Sequence, residues 1–217
     1  MPNYAWNRMS MKFSDYNKYV RSVDEEGNHI VDFNILMPMP ECYTGYSSDT
    51  NTNRCFVYYI SDRLSKGWDG TAKEIRKLLP NEPAWRFCAF DSTYSNLLRH
   101  PMKDEELDNA YEFGKHIAEN IKEHGSKDWY DWCCDNWGTK WNAFDCEEED
   151  IDEEDDICWF KFTTAWCPPE GWIKELSERC DFTINCDVEG TDTRYRYVCE
   201  NGVLRYFESD FVEKELK

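Results

Sequence analysis

Residues 158–169 read CWFKFTTAWCPP, and the fold turns on how this stretch is read. Phe160, Phe162, Thr164 and Trp166 stand at every second position, so an extended chain places them on one face of a strand over 158–166. Pro168 and Pro169 then stop the strand and open a helix, whose first turn has no use for the missing N–H. Trp172, Ile173, Leu176 and Cys180 follow at the spacing of one buried helix face. Alternation returns through Phe182, Ile184, Cys186 and Val188, which makes the whole a β-α-β unit. Beyond it, 194–199 and 203–207 are two short strand patterns joined by Asn201-Gly202, the strongest short hairpin signal.

The N-terminal end of the chain repeats the pattern. Residues 4–13 have the alternation and aromatic content of a strand, and Ser14 is a good N-cap. Tyr16, Tyr19, Val20 and Val23 then lie on one helix face. Glu26-Gly27-Asn28 turns the chain into a second strand over 30–36, with Val31, Phe33 and Ile35 on one side, ended by Pro38 and Pro40. Two β-α-β halves predict an α+β fold, a ferredoxin-like βαβ-βαβ sandwich with an antiparallel sheet and helices on one face, plus the added C-terminal hairpin. This domain takes 1–41 and 131–217, and 42–130 is a mostly helical insertion. Within the insertion 44–53 reads as polar loop and 71–79 as helix stopped by Pro80. The strongest helix covers 104–124, with Leu107, Ala110, Tyr111, Gly114, Ile117, Ala118 and Ile121 on its apolar stripe and Gly125 beyond its end.

Four stretches carry a family resemblance: MPNYAWNRMSMK at 1–12, FNILMPMPE at 33–41, NWGTKWNA at 136–143 and TTAWCPP at 163–169. Together, in this order, they resemble the YubB-like and Api-type proteins of phages and conjugative plasmids. The resemblance spans about 1–41 and 136–207 and implies a ferredoxin-like domain and a mobile-element origin, with no established reaction attached. The name refers to topology: an iron–sulfur cluster needs grouped cysteine ligands, and no Cys-x-x-Cys occurs.

Charge is the strongest functional signal. Of a formal net charge of −19, residues 101–160, with 5 basic and 20 acidic side chains, hold −15. Such a field repels nucleic acid and anionic membranes and attracts basic surfaces. Direct DNA or RNA binding is therefore disfavoured, and no run approaches the roughly 18 apolar residues of a membrane span. Between Asp145 and Asp156 ten of twelve residues are acidic. One reading is a solvated hairpin loop between strands over 137–144 and 158–166. The functional reading is a phosphate-like line of charge, Glu147, Glu148, Glu149, Asp150, Asp152, Glu153, Glu154, Asp155 and Asp156, presented to a basic cleft. A calcium loop would want a glycine for its bend, and the run has none.

Eleven cysteines, an odd number, with no secretory apolar run ahead of them, predict free thiols in a reducing cytosol. Neither the vicinal Cys133-Cys134 nor His116 and His124, eight apart, has zinc-ligand spacing, so no metal or other cofactor is expected. Trp137 and Trp141 are read as packing aromatics, a ligand-stacking platform being the alternative. No phosphate loop, nucleophile elbow or zinc-protease helix is present. Asp187-x-Glu189 at a strand end leaves a metal-dependent phosphodiesterase as the enzymatic alternative, and an oligomeric structural or regulatory role as another. The expectation is a cytoplasmic, non-catalytic protein that binds the basic nucleic-acid-binding surface of a host complex and inhibits it, as an anti-CRISPR protein would.

Overall fold

Strand β1, Tyr4–Met11, buries every second side chain: Ala5, Met9 and Met11 are inside while Trp6 is half exposed. Helix α1, Phe13–Tyr19, follows and lays Tyr16 against the core. The structure, a computed structural model, describes residues 3–45, 49–208 and 212–214. After α1 the chain departs from the sequence reading. Residues 30–36 do not join the main sheet. Arg21–Val23 (β2) and His29–Val31 (β3) pair as a separate antiparallel hairpin, and Phe33–Ile35 is a 3-10 turn capped by the Asp32 carboxylate. Val31 and Phe33 are buried while Ile35 is 40% exposed, so the apolar alternation reflects a short strand followed by a tight turn.

The chain divides into two compact units, Met1–Met39 with Cys133–Lys217, and Pro40–Trp132. The second unit is helical: α2 Thr50–Ile60, α3 Trp68–Leu78, α4 Ala84–Arg99 and α5 Leu107–His124. Its core is built on Phe56, Ile75, Phe90, Leu97 and Ile117, each at most 1% exposed, and full burial of such a side chain contributes roughly 1.5–3 kcal/mol. Gly114 lets α5 cross close to α2, since a methyl there would overlap the Cys55 carbonyl. Gly125, at φ 81°, closes α5 in the left-handed conformation expected of a terminal glycine. The predicted 104–124 helix starts as a 3-10 turn over Asp104–Glu106. The predicted loop over 44–53 is loop at its start, while 50–53 are the first turn of α2, capped by Asp49, and 46–48 lie outside the described residues.

Helix α6, Trp129–Asn136, leads into the sheet-forming remainder: β4 Phe144–Asp152, β5 Ile157–Ala165, α7 Glu170–Ser177, β6 Phe182–Val188, β7 Arg194–Glu200, β8 Val203–Glu208 and β9 Val212–Lys214. All neighbours pair antiparallel in the order β4-β5-β1-β6-β7-β8-β9. The fold is thus α+β. Helix α7 crosses from β5 to β6 with β1 lying between them, which is the unit read from CWFKFTTAWCPP onward. Two corrections follow for the strands beside it. The partner of β5 at the sheet edge is the acidic stretch itself, read from sequence as loop, and 137–143 are not strand. Tyr16 stacks on Phe160 at 4.4 Å and Trp172 meets Phe33 at 4.8 Å and Phe162 at 6.2 Å, so α1 and α7 cover the same sheet face. Trp6, Arg8, Lys161 and Asn185 are exposed on the opposite face.

Candidate functional site

Among the described residues, strand β4 pairs on one side only, with β5. Two register shifts bend it, the first between Phe144 and Glu147 and the second between Glu148 and Asp150. Asp145, at φ 48°, sits in the first. The bends divide the carboxylates between surroundings. Glu148 turns to the helix-covered side, where Tyr16 Oη donates to its Oε1 at 3.1 Å and Arg21 and His29 each approach to 2.9 Å. Burial, and next the Glu148 charge, push the Tyr16 hydroxyl well above its ordinary pKa. Glu149 turns to the open side and bridges Lys161 and Arg8, whose Nε lies at 2.6 Å. The hydrogen bond from Lys161, then that from Arg8, hold its carboxyl below the usual range.

At the hairpin end Asp152 accepts from the backbone N–H groups of Glu154 and Asp155, both at 3.0 Å. Asp156 accepts from the backbone and hydroxyl of Ser14, both at 2.8 Å, and these bonds lower its pKa, the backbone bond most. Ser14 is therefore a donor to Asp156, and the N-cap position of α1 belongs to Lys12. Four of the nine carboxylates are thus tied into the fold. Glu147, Asp150, Glu153, Glu154 and Asp155 remain exposed, without ion pairs among the described residues.

The four stretches that carried the resemblance meet in one joint. Asn7 Nδ2 donates to Thr164 Oγ1 at 3.0 Å, and Thr139 Oγ1 donates to the Ala165 carbonyl at 2.9 Å. Asn142 accepts from the Phe33 N–H at 2.9 Å and donates to Asp32 at 2.7 Å. Trp137, 2% exposed, donates its indole N–H to the Met37 carbonyl at 2.9 Å and meets Phe33 edge-on at 5.7 Å. Gly138, at φ 82°, lies against the backbone at the start of α7. Each stretch supplies a partner that another requires.

Residues 137–204 match the family model described as the ferredoxin-like domain in Api92-like protein. The segment is homologous to that domain, as the motifs implied. Along the whole chain, the crystal structure of protein api92 from Yersinia pseudotuberculosis is similar at 12% identity, covering 100% of this chain and 99% of that one, with a TM-score of 0.34. No curated protein matches.

Around the Api92-like segment the other sequence candidates separate. Asp187 pairs with Arg194 at 3.0 Å, while the Glu189 carboxylate accepts from the Tyr4 N–H at 3.0 Å, so the two acids do not converge. Among the described residues no group of three His, Cys, Asp or Glu side chains is placed to hold a metal ion. All eleven cysteines are free thiols. Burial pushes Cys55 and Cys158 up to about 11 and Cys180 up to about 12. His116 Nε2 lies 3.0 Å from the Cys42 carbonyl, and His124 stacks edge-on to Tyr43 at 5.9 Å. Trp141 is partly buried, with Lys140 over its ring at 4.4 Å and over Trp166 at 5.5 Å.

The open sheet face holds what the sequence reading missed. A cavity of about 640 Å³ is lined by Trp6, Arg8, Lys161 and Arg194 together with the acids Asp145, Glu147 and Asp187. These residues come from strands distant in sequence, and the signal that marks them is the polar half of each alternating pattern.

Proposed function

We propose that the chain is a non-catalytic binding protein of mobile genetic elements that occupies the basic nucleic-acid-binding surface of a host protein complex. In the counter-defence form of this reading the complex is a nucleic-acid-guided nuclease and the outcome is inhibition, as with anti-CRISPR proteins. The observation that carries the proposal is the division of the acidic run: four carboxylates serve the fold, while Glu147, Asp150, Glu153, Glu154 and Asp155 stand exposed along one strand edge and its turn. Closely spaced charges without internal partners favour a basic surface, by steering as much as by affinity. The proposed contact surface is therefore narrower than the nine-residue line. Co-purification from host cells, with the partner identified by mass, tests it: a nucleic-acid-binding complex supports the reading, and recovery of no such complex opposes it.

The edge position favours a second reading. Like charges along an unpaired strand edge keep another copy's edge away. Under that reading, neutralising the five residues produces dimers or aggregates on size-exclusion chromatography.

A further inference from the structure

We infer that the open face of the sheet is a platform for single-stranded nucleic acid, a site separate from the exposed carboxylates of the acidic turn. The strand register lines up one cross-strand row on this face. Lys161 stands opposite Arg8, Arg8 opposite Asn185, Asn185 opposite Arg196, and Arg196 opposite Phe207. Three cations in one row stand out in a chain of net charge −19. The net field disfavours nucleic acid only on average. The acidic surplus lies mostly in 101–160; on this face it supplies Glu147, which ends the row opposite Lys161, and Asp145 beside it, while Asp187 of β6 is neutralised by Arg194 at 3.0 Å.

Beside the row stands Trp6, 49% exposed and two positions from Arg8 on the same face of β1. Antiparallel sheets that bind single strands use this pairing of parts: an exposed aromatic on a central strand stacks a base, and flanking cations take phosphates. From Lys161 to Arg196 the row crosses three strand intervals, about 14 Å at the usual spacing. A span of that length suits several linked nucleotides better than one. The Glu149 carboxylate, held between Arg8 and Lys161, occupies the place a phosphate would take. It acts as an internal competitor, and removing its charge frees both cations. Arg196 has no ion pair among the described residues.

The test is fluorescence anisotropy with short labelled oligothymidylate and oligouridylate, the matching duplex and a mononucleotide, at increasing salt. Single strands are expected to bind in preference to the duplex and the mononucleotide. With three phosphates engaged, the logarithm of affinity should fall with the logarithm of salt at a slope of about −2. Trp6→Ala should lose on the order of ten-fold, a typical stacking contribution. Arg196→Gln should weaken binding and flatten the slope, and Glu149→Gln should tighten binding. A purely structural role for Glu149 would give no such gain. The idea is overturned by absence of single-strand binding at low salt, by equal binding of duplex, by indifference to Trp6→Ala and Arg196→Gln in variants that melt like wild type, or by preference for an acidic peptide. Neutralising Glu153, Glu154 and Asp155 should leave oligonucleotide binding intact, so this inference and the acidic-edge reading fail separately.

Discussion

Gly171 packs against the Asn136 carbonyl so closely that a methyl group on it would overlap the oxygen. This contact locks the end of α6 to the start of α7, beside the Trp172 N–H that donates to the Trp137 carbonyl at 3.3 Å. Backbone sits on both sides, so neither can yield as a flexible side chain would. Gly171→Ala is expected to cost about 1–3 kcal/mol, the usual penalty for overpacking, read as a lower midpoint in urea. An unchanged midpoint would show that the joint relaxes freely.

Two of the four tryptophans in the motifs, Trp137 and Trp166, should behave differently. Trp137 is 2% exposed and hydrogen-bonded, and its truncation to Ala should cost about 3–5 kcal/mol. Trp166, read from sequence as the last residue of the strand and on the face of Phe160 and Phe162, is 38% exposed and lies beyond the end of β5 at φ 70°. Trp166→Ala should cost less than half as much as Trp137→Ala. Equal losses in thermal melts would contradict this distinction.

What sequence could show follows from where physical preferences and structure agree. The β5-α7-β6 unit was legible because alternation, two prolines and a helical stripe all point one way. Strand β4 was hidden because Asp and Glu are poor strand formers and an edge strand needs little burial. Residues 30–36 misled for the opposite reason: Val31 and Phe33 are buried in a strand-like alternation, but the Asp32 cap turns the chain between them. Trp166 carries no mark of its left-handed backbone, since glycine or asparagine would be the usual occupant. The acidic run was legible as charge; which carboxylates are tied depends, for Glu148, Glu149 and Asp156, on partners in β1, α1, β2 and β3 distant in sequence, while Asp152 is held by the backbone of its own turn.

Acid should weaken the Glu149 bridge. Its folded pKa is depressed, so its contribution is present above the unfolded value, roughly 4.3, and is lost as pH falls through the folded value. The stability difference between wild type and Glu149→Gln should be nearly constant near neutrality and shrink below about pH 4.5, starting from less than about 1 kcal/mol because the ion pair is at the surface. Comparing the two proteins cancels the broader relief of repulsion among carboxylates. A difference that grows in acid would reverse the sign of the proposed interaction.

Thiol chemistry gives a further check. Cys88 is exposed, whereas burial raises the pKa of Cys42, Cys55, Cys146, Cys158, Cys167, Cys180, Cys186 and Cys199. At neutral pH a thiol reagent should modify Cys88 first and these eight slowly, with all eleven reacting after denaturation. The purified protein should also be colourless and contain no stoichiometric zinc. Rapid reaction of the buried thiols, or bound zinc by elemental analysis, would contradict the assignment.

The acidic edge is tested most directly by a pull-down from host extract with wild type and with Glu147, Asp150, Glu153, Glu154 and Asp155 replaced by Gln or Asn, at low and high salt. Wild type is expected to retain a nucleic-acid-binding complex at low salt and to release it as salt shortens the screening length from about 10 Å to about 3 Å, while the neutralised protein, with an unchanged melt, retains none. Equal capture by the neutralised protein would rule out the acidic edge as the contact surface and place recognition elsewhere in the chain.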